Sequence, residues 1–416
     1  MSNVDWLDGL HSIFSSQSDD LEELAFACGY DPKLFYIGTP TSGPEYDQLV
    51  AQIKDALIED LAIDFPKHEV DYINNSLQAK SNKSIKPPVR SGDLAFDIGT
   101  ETIRVYRKNV GVIFTCQNIA ARISTGSPFT KFGDDVASLG TKSNWDIVRP
   151  VQSGRLIDDK AFIALIKSIL LKVGTGGFIN PKVIISVSSG LNSVHRRALN
   201  DAMIKCGARR VGLLDSPMAS AMGAGALVHN PVGTLIIDIG AGTTDIAVLS
   251  LSGIVFSKTI FLGGDDFDKE IINYMRRNFN LLIGVSSAQN IKKRIGLSSN
   301  TDDQSTIEID GRDLTLGVSR RIKLNKWCVS EALEAPLNQI ADGLRIAIEA
   351  CPPELVIDID QDPILTGGGA LMGGMLEFLC DVTGFKFKVA NDPLLSNVLG
   401  CGSVLEHPRW MKGVID

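Results

Sequence analysis

The feature that most constrains the fold of this chain is a buried strand that ends in an aspartate and is followed by a glycine turn and a second strand. Residues 235–250 read LIIDIGAGTTDIAVLS. Their β-branched side chains are typical of a strand covered on both faces, and the turn glycines let backbone N–H groups approach an anion closely. Asp238 can hold a magnesium ion through water. The segment predicts a phosphate-binding β-hairpin, although glycine turns also occur in hairpins that bind nothing.

A shorter copy of this pattern lies upstream, where residues 94–106 read LAFDIGTETIRVY. Two such hairpins, about 140 residues apart, suggest duplicated halves that face one another across a cleft, with a polyphosphate between them. Asp97 and Asp238 are then expected to meet near a metal ion. The turn residues expected to contact phosphate are Gly99, Thr100, Glu101, Thr102, Gly240, Ala241, Gly242, Thr243 and Thr244.

A third glycine cluster, LTGGGALMGG at residues 365–374, follows a short apolar run and precedes a predicted helix at residues 375–380. A strand, a glycine turn and a helix in this order place backbone N–H groups where a nucleoside or phosphate can lie. The residues predicted to do so are Gly367, Gly368, Gly369, Ala370 and Leu371.

With these three motifs the chain resembles the actin-like ATPases, and within them it is similar to the MreB family of bacterial actins. The resemblance covers roughly residues 92–410. It includes DSPMASAMGAG at 215–225, GGDDFD at 263–268, CPPEL at 351–355 and ANDPL at 390–394. It implies an α/β fold of duplicated actin-like, ribonuclease-H-like domains that face a nucleotide cleft, with ATP and Mg²⁺ as cofactors.

The resemblance also implies roles for residues at which this chain departs from the family. A Glu and a Lys that reach the ribose correspond to Gln289 and Lys292. A Glu that orients the attacking water corresponds to Ser216, which follows Asp215. Together with Asp238, these two residues are the predicted catalytic group. A serine hydroxyl can hold a water but is a poor base. Either Asp215 substitutes with a shorter reach, or ATP hydrolysis is slow, and we expect the second.

Three regions are predicted: an acidic, mainly helical extension with a polar linker at 1–90, a first half with a short small subdomain at 91–233, and a second half at 234–416. The extension contains 7 Lys/Arg and 15 Asp/Glu, so it holds the whole net charge of −8. An acidic extension and a neutral body argue against a nucleic-acid surface. The first apolar stripe, near Trp6, has an acidic polar side, which favours a helix that docks a protein partner or packs within the extension over one that binds an anionic membrane.

Composition and the absence of certain motifs exclude several other classes of protein. The seven cysteines are scattered without a CxxC pair, as is typical of apolar filler in a reducing cytoplasm. No apolar run of about 18 residues occurs, so we expect neither a spanning helix nor a signal peptide. GxxxxGK[ST] does not occur, which excludes a P-loop NTPase.

Local patterns give further expectations. Apolar residues three and four apart predict a helix at 159–173, and Asp310-Gly311 predicts a hairpin turn. The loop GTGGFIN at 174–180 contains Phe178 and Ile179. Loop hydrophobes usually fold back onto their domain, whereas the resemblance implies a tip that inserts into a membrane.

The function expected from the motifs and the resemblance is a cytoplasmic ATPase that polymerises with itself in cell shape or intracellular organisation. The alternatives are a phosphotransferase of the sugar-kinase or acetate-kinase type, which shares both hairpins, and a scaffold that holds ATP without hydrolysing it.

Overall fold

The computed structural model describes residues 92–137, 139, 145–174, 180–297 and 306–407. All of these residues belong to one compact unit of the chain, Pro88–Asp416. The predictions for the extension before Gly92 and for Phe178 and Ile179 lie outside the described residues.

The strands and helices are numbered in chain order. The strands are β1 Leu94–Ile98, β2 Thr102–Arg107, β3 Gly111–Gln117, β4 Ala120–Arg122, β5 Lys131–Phe132, β6 Asp146–Val148, β7 Val151–Gln152, β8 Arg155–Leu156, β9 Lys182–Val187, β10 Arg210–Asp215, β11 Thr234–Ile239, β12 Thr244–Ser250, β13 Gly253–Ile260, β14 Leu281–Leu282, β15 Thr306–Asp313, β16 Ser319–Asn325, β17 Ile364–Thr366 and β18 Lys388–Val389. The helices are α1 Asp134–Ala137, α2 Asp159–Lys172, α3 Ser193–Lys205, α4 Ser216–Gly223, α5 Gly264–Phe279, α6 Val285–Ile295, α7 Trp327–Ala332, α8 Glu334–Glu349, α9 Pro353–Gln361, α10 Met375–Thr383 and α11 Ser396–Glu406, with a 3₁₀ turn at Gly368–Leu371.

Two five-stranded sheets repeat one topology. Their orders are β3-β2-β1-β9-β10 and β13-β12-β11-β17-β18. In each sheet three consecutive strands form an antiparallel meander, and two later strands add to it in parallel. The duplicated α/β halves predicted from the paired hairpins are confirmed. The register places Asp97 opposite Arg104 in the first hairpin and Asp238 opposite Asp245 in the second.

Each half carries a smaller sheet, of order β5-β4-β6 in the first half and β14-β15-β16 in the second. The hairpin turn predicted at Asp310-Gly311 is wrong, because both residues lie inside β15, where Gly311 pairs with Arg320. A Cβ on Gly311 would come within 2.6 Å of Leu281 Cγ. The glycine therefore allows β14 to approach β15 closely instead of turning the chain.

Helix α2 confirms the helix predicted from apolar spacing. Its buried residues include Phe162, Leu165, Ile166 and Ile169, three and four positions apart. Asp158 caps the helix by accepting a hydrogen bond from the Ala161 N–H at 2.9 Å.

Helices α4 and α11 lie in a core shared by both halves. This core contains Ala95 of the first sheet, Ile236 of the second, Met218 of α4 and Cys401 of α11. Although α11 follows the second half in sequence, it packs against α4 and β1, and the Tyr106 hydroxyl donates to Glu406 at 3.2 Å.

The two helices approach each other at glycines. A Cβ on Gly223 would overlap the Ser396 carbonyl oxygen, and a Cβ on Gly400 would overlap the carbonyl oxygen of Ala219. Since no side chain fits at either point, the backbones of α4 and α11 are in direct contact.

Candidate functional site

A cavity of about 590 Å³ lies where the two hairpin turns and the third glycine cluster meet. Strands β1, β9, β11 and β17 are parallel neighbours within their sheets, so their carboxyl ends open into this space. The predicted residues that line it are Asp97, Gly99, Thr100, Glu101, Thr102, Ser216, Asp238, Gly240, Ala241, Gly242, Thr243, Lys292, Gly367, Gly368, Gly369 and Leu371.

Four other predicted site residues are not on the cavity wall. The Thr244 hydroxyl is fully buried and donates to the Leu262 carbonyl at 2.9 Å. Ala370 packs in the core of the second half. Gln289 on α6 is half-buried. Asp215 forms an ion pair with Arg196, which draws its carboxylate to α3.

The turn of the first hairpin is stabilised by a buried side chain that the sequence analysis did not predict to belong to the site. Asn118 is fully buried, and its Nδ2 donates to the carbonyls of Gly99 at 2.9 Å and Val151 at 2.8 Å. Thr100 Oγ1 accepts a hydrogen bond from the Ser153 N–H at 2.9 Å. These bonds fix the turn, whose residues Gly99 to Thr102 line the cavity.

Asp238 is held by three donors that come from two helices. Its Oδ2 accepts hydrogen bonds from Ser220 Oγ at 2.8 Å, Ser216 Oγ at 3.3 Å and Asn397 Nδ2 at 2.6 Å. Burial raises the pKa of Asp238, the Ser220 hydrogen bond opposes that rise, and the nearby Asp97 carboxylate adds to it.

Asp97 is held differently, by a hydroxyl and a guanidinium. Ser186 Oγ donates to Oδ1 at 3.0 Å, and Arg104 Nη1 lies 3.2 Å from Oδ2. Burial raises the pKa of Asp97, and the positive charge of Arg104 opposes this.

A third carboxylate, Asp245, also lines the cavity and was not predicted to belong to the site. Its Oδ1 accepts hydrogen bonds from Ser188 Oγ at 2.8 Å and from Thr259 Oγ1. Burial raises its pKa to about 7. The strand pattern could have revealed it, because a residue paired with Asp238 across an antiparallel ladder lies on the same face of the sheet.

The far end of the cavity is more apolar. Phe267, Leu371, Met372 and Leu394 line it. Lys292 lies at its edge, where Nζ is 2.7 Å from an Asp268 carboxylate oxygen and donates to the Gly264 carbonyl at 2.7 Å. A flat apolar ligand group fits this end, with polyphosphate toward the hairpins.

Contacts between the two halves surround the cavity. Arg149 forms an ion pair with Asp265 at 2.6 Å, and Gly190 N–H donates to Thr259 Oγ1 at 2.8 Å. The Arg155 guanidinium lies 4.5 Å from the centre of the Phe261 ring. These contacts join the two halves of the protein in this conformation.

Two sheets of one topology, a pair of facing Asp-Ile-Gly hairpins and a third glycine cluster around one cavity define an actin-like protein with a nucleotide-type cleft. Comparison with known proteins agrees. The family model described as MreB/Mbl protein matches residues 91–413. The chain belongs to the MreB/Mbl family.

Individual relatives match over most of the chain. The cell shape-determining protein MreB of Escherichia coli K12 is 38% identical over 325 residues, which cover 76% of this chain and 94% of that protein. MreB5 of Spiroplasma citri bound to ADP superposes with a TM-score of 0.72 and 28% identity, covering 78% of this chain and 99% of that one. The same protein bound to AMPPNP superposes with a TM-score of 0.70 and 27% identity, covering 79% of this chain and 99% of that one. A MamK double helical filament, at 20% identity and a TM-score of 0.65 over 76% and 99%, supports the fold alone.

The residues present fit a nucleotide with a magnesium ion. A Cβ on Gly367 would overlap Asp238 Oδ1 and the Ile239 carbonyl oxygen. The third glycine cluster therefore approaches the second hairpin closely because it has no side chain at this residue. Within the described ranges, no three His, Cys, Asp or Glu side chains are arranged to hold a metal by themselves. Magnesium commonly binds through one or two carboxylates, phosphate oxygens and water, which suits Asp97 and Asp238. No helix in the described part of the chain is long and apolar enough to cross a membrane.

The raised pKa of Asp245 predicts a pH-dependent stability. A proton held more tightly in the folded protein than in the unfolded chain stabilises the fold at acid pH, and that contribution is lost as the pH rises through about 7. Asp245→Asn cannot ionise. In thermal unfolding without nucleotide, its Tm relative to the parent should therefore increase from about pH 5 to about pH 8.

Asp310→Asn is the control for this experiment. Asp310 lies outside the cavity, and its hydrogen bond with Arg321 lowers its pKa. The Tm difference between Asp310→Asn and the parent should therefore stay constant over that pH range. A constant difference for Asp245→Asn would contradict the prediction.

Proposed function

We propose that this chain binds ATP with magnesium in the cavity and assembles into filaments, as a cytoskeletal actin homologue that acts in cell shape or intracellular organisation. The observation that carries the proposal is the pair of Asp-Ile-Gly hairpins that face one cavity in a member of the MreB/Mbl family. Structures of MreB5 bound to ADP and AMPPNP support the proposal that the cavity binds a nucleotide. The name of the Escherichia coli relative, cell shape-determining protein MreB, supports a role in cell shape.

The kinase alternative has less support. A phosphotransferase needs a carboxylate that faces an acceptor pocket. Asp238 and Asp245 each accept hydrogen bonds from at least two side chains that fix them in place. The relative matched over 94% of its length is named as a cell shape-determining protein.

The environment of Asp215 and Ser216 favours slow hydrolysis. Asp215 is paired with Arg196 and is not on the cavity wall, so it is poorly placed to polarise a water in the cavity. Ser216 does line the cavity, but its hydroxyl is 3.3 Å from Asp238 Oδ2 and 3.0 Å from Asn397 Oδ1. No carboxylate therefore stands at the position where the resemblance requires one, and we propose that ATP-bound filaments persist.

The first prediction of this proposal concerns ATP-dependent assembly. ATP with magnesium should produce sedimentable polymer without any small-molecule acceptor. Asp238→Asn should weaken magnesium-dependent ATP binding on the order of tenfold or more, because it removes a charge that organises the metal's water shell. Asp310→Asn, which changes an exposed carboxylate outside the cavity, is the matched control.

Pelleting and a binding titration measure these two effects. Unchanged ATP affinity in Asp238→Asn, together with no polymer in the parent, would refute the proposed function.

The second prediction concerns hydrolysis. Phosphate release from assembled protein should increase on the order of a hundredfold in Ser216→Glu, since a positioned carboxylate polarises water better than a hydroxyl does. Asp215→Asn should leave the rate unchanged, because Asp215 is already engaged by Arg196. A collapse of the rate in Asp215→Asn would show that Asp215 performs the role, and the slow-hydrolysis proposal would then be withdrawn.

We further propose that the filament lies at the cytoplasmic face of the membrane, through Phe178 and Ile179, and that the acidic extension binds a protein partner. Burying a large apolar side chain contributes about 1.5–3 kcal/mol, which becomes effective when a filament presents many copies. Changing both residues to Ser should reduce liposome flotation of polymer while pelleting persists. Equal flotation of the two forms would exclude this contact.

A further inference from the structure

Arg104 occupies a distinctive place at the cavity. It lies on β2 directly opposite Asp97 on β1, so the two side chains share one face of the first hairpin. Their side chains are each 12% exposed, and both residues line the cavity. An arginine thus stands beside the carboxylate that was predicted to hold the metal.

The second hairpin carries the opposite charge at the equivalent position. There the residue opposite Asp238 is Asp245, seven positions further along the chain, as Arg104 is from Asp97. The same geometry therefore gives a carboxylate with a guanidinium in one half and two carboxylates in the other. The duplicated fold does not require an arginine at this place.

The other basic residues on the cavity wall are less suited to a phosphate. In the described part of the chain these are Lys292 and Lys293. Lys292 is already paired with Asp268 and Gly264, at the more apolar end. Lys293 is exposed on α6. Arg104 is the basic residue that stands among the hairpin residues.

The electrostatics of the cavity favour a positive group at this point. Asp97, Asp238 and Asp245 are all buried, and in their ionised forms they would repel a polyphosphate more strongly than in water. A guanidinium has five N–H donors in a planar fork, so it can bind a carboxylate and a phosphate together. The hydrogen bond to Asp97 uses one of these donors.

We propose that Arg104 is a phosphate-binding residue of the cleft, whose guanidinium lets the site hold a nucleoside polyphosphate without a divalent cation. The inference rests on the proposed nucleotide binding and deepens it. Arg104 neutralises Asp97 in place of a metal and offers its remaining N–H groups to the phosphate oxygens. Magnesium, when present, competes with Arg104 for Asp97.

The test compares nucleotide affinity with and without metal. A fluorescent ATP analogue is titrated by anisotropy into the full chain, in excess EDTA and in saturating magnesium. The parent should bind in both buffers. Arg104→Leu should weaken binding in EDTA on the order of ten- to hundredfold, with a much smaller loss in magnesium. Arg104→Lys should recover part of the loss, because it restores the charge without the fork.

Two further variants control for folding and for charge in general. Arg122→Leu removes an arginine that is 16% exposed and paired with Asp146 at 2.7 Å, in the small sheet outside the cavity. It should bind as the parent does in both buffers. Asp97→Asn combined with Arg104→Leu removes both charges of the Asp97–Arg104 pair, so neither is left unpaired and metal-free binding can be tested even if Arg104→Leu does not fold.

The outcomes separate this inference from the proposed function. No binding by the parent in either buffer would refute nucleotide binding itself. Binding by the parent only with magnesium would overturn the role of Arg104 while leaving the proposed function intact. The role of Arg104 would also be overturned if Arg104→Leu lost the same fraction of its nucleotide affinity in both buffers, or if the double variant kept the full metal-free affinity of the parent.

Discussion

The contact between α4 and α11 is the constraint on which the cleft depends. Their backbones touch at Gly223 and Gly400, where any side chain would overlap a carbonyl oxygen. The same two helices carry the three groups that hold Asp238: two serines on α4 and one asparagine on α11. The distance between the helices therefore sets the position of a carboxylate in the cavity. A bulkier residue at the crossing would displace that carboxylate as well as the core.

Burying three carboxylates around one cavity is costly unless each is compensated. The two hairpins solve this in different ways. The first neutralises Asp97 with a guanidinium on the neighbouring strand, whereas the second surrounds Asp238 and Asp245 with hydroxyl and amide donors that carry no charge. When Asp238 and Asp245 are ionised, the second half therefore carries more negative charge than the first. A cation that enters the cavity is attracted toward that side, and an anion toward the first hairpin.

The parts that sequence could predict are those whose cause is local. The Asp-Ile-Gly hairpins and the apolar spacing of α2 are short patterns with one structural solution, and the duplicated sheets follow from the repeat. Asn397 reaches Asp238 from 159 residues away, which no local pattern indicates. Thr244 could have been excluded by strand alternation, since it sits between Thr243 and Asp245, which both face the cavity. The Asp-Gly pair in β15 misled because glycine serves close strand packing as well as turns.

The position of α11 also has a consequence for synthesis. Cys401, Val404 and Leu405 complete a core that includes Ala95 and Ile184 of the first sheet, roughly 310 and 220 residues earlier in the chain. On the ribosome, the strands of the first half emerge long before the helix that covers their inner face. That apolar surface stays open until α11 has emerged, and during this interval it is available to chaperones or to aggregation. Deletion of α11 would therefore damage the half of the protein that was made first.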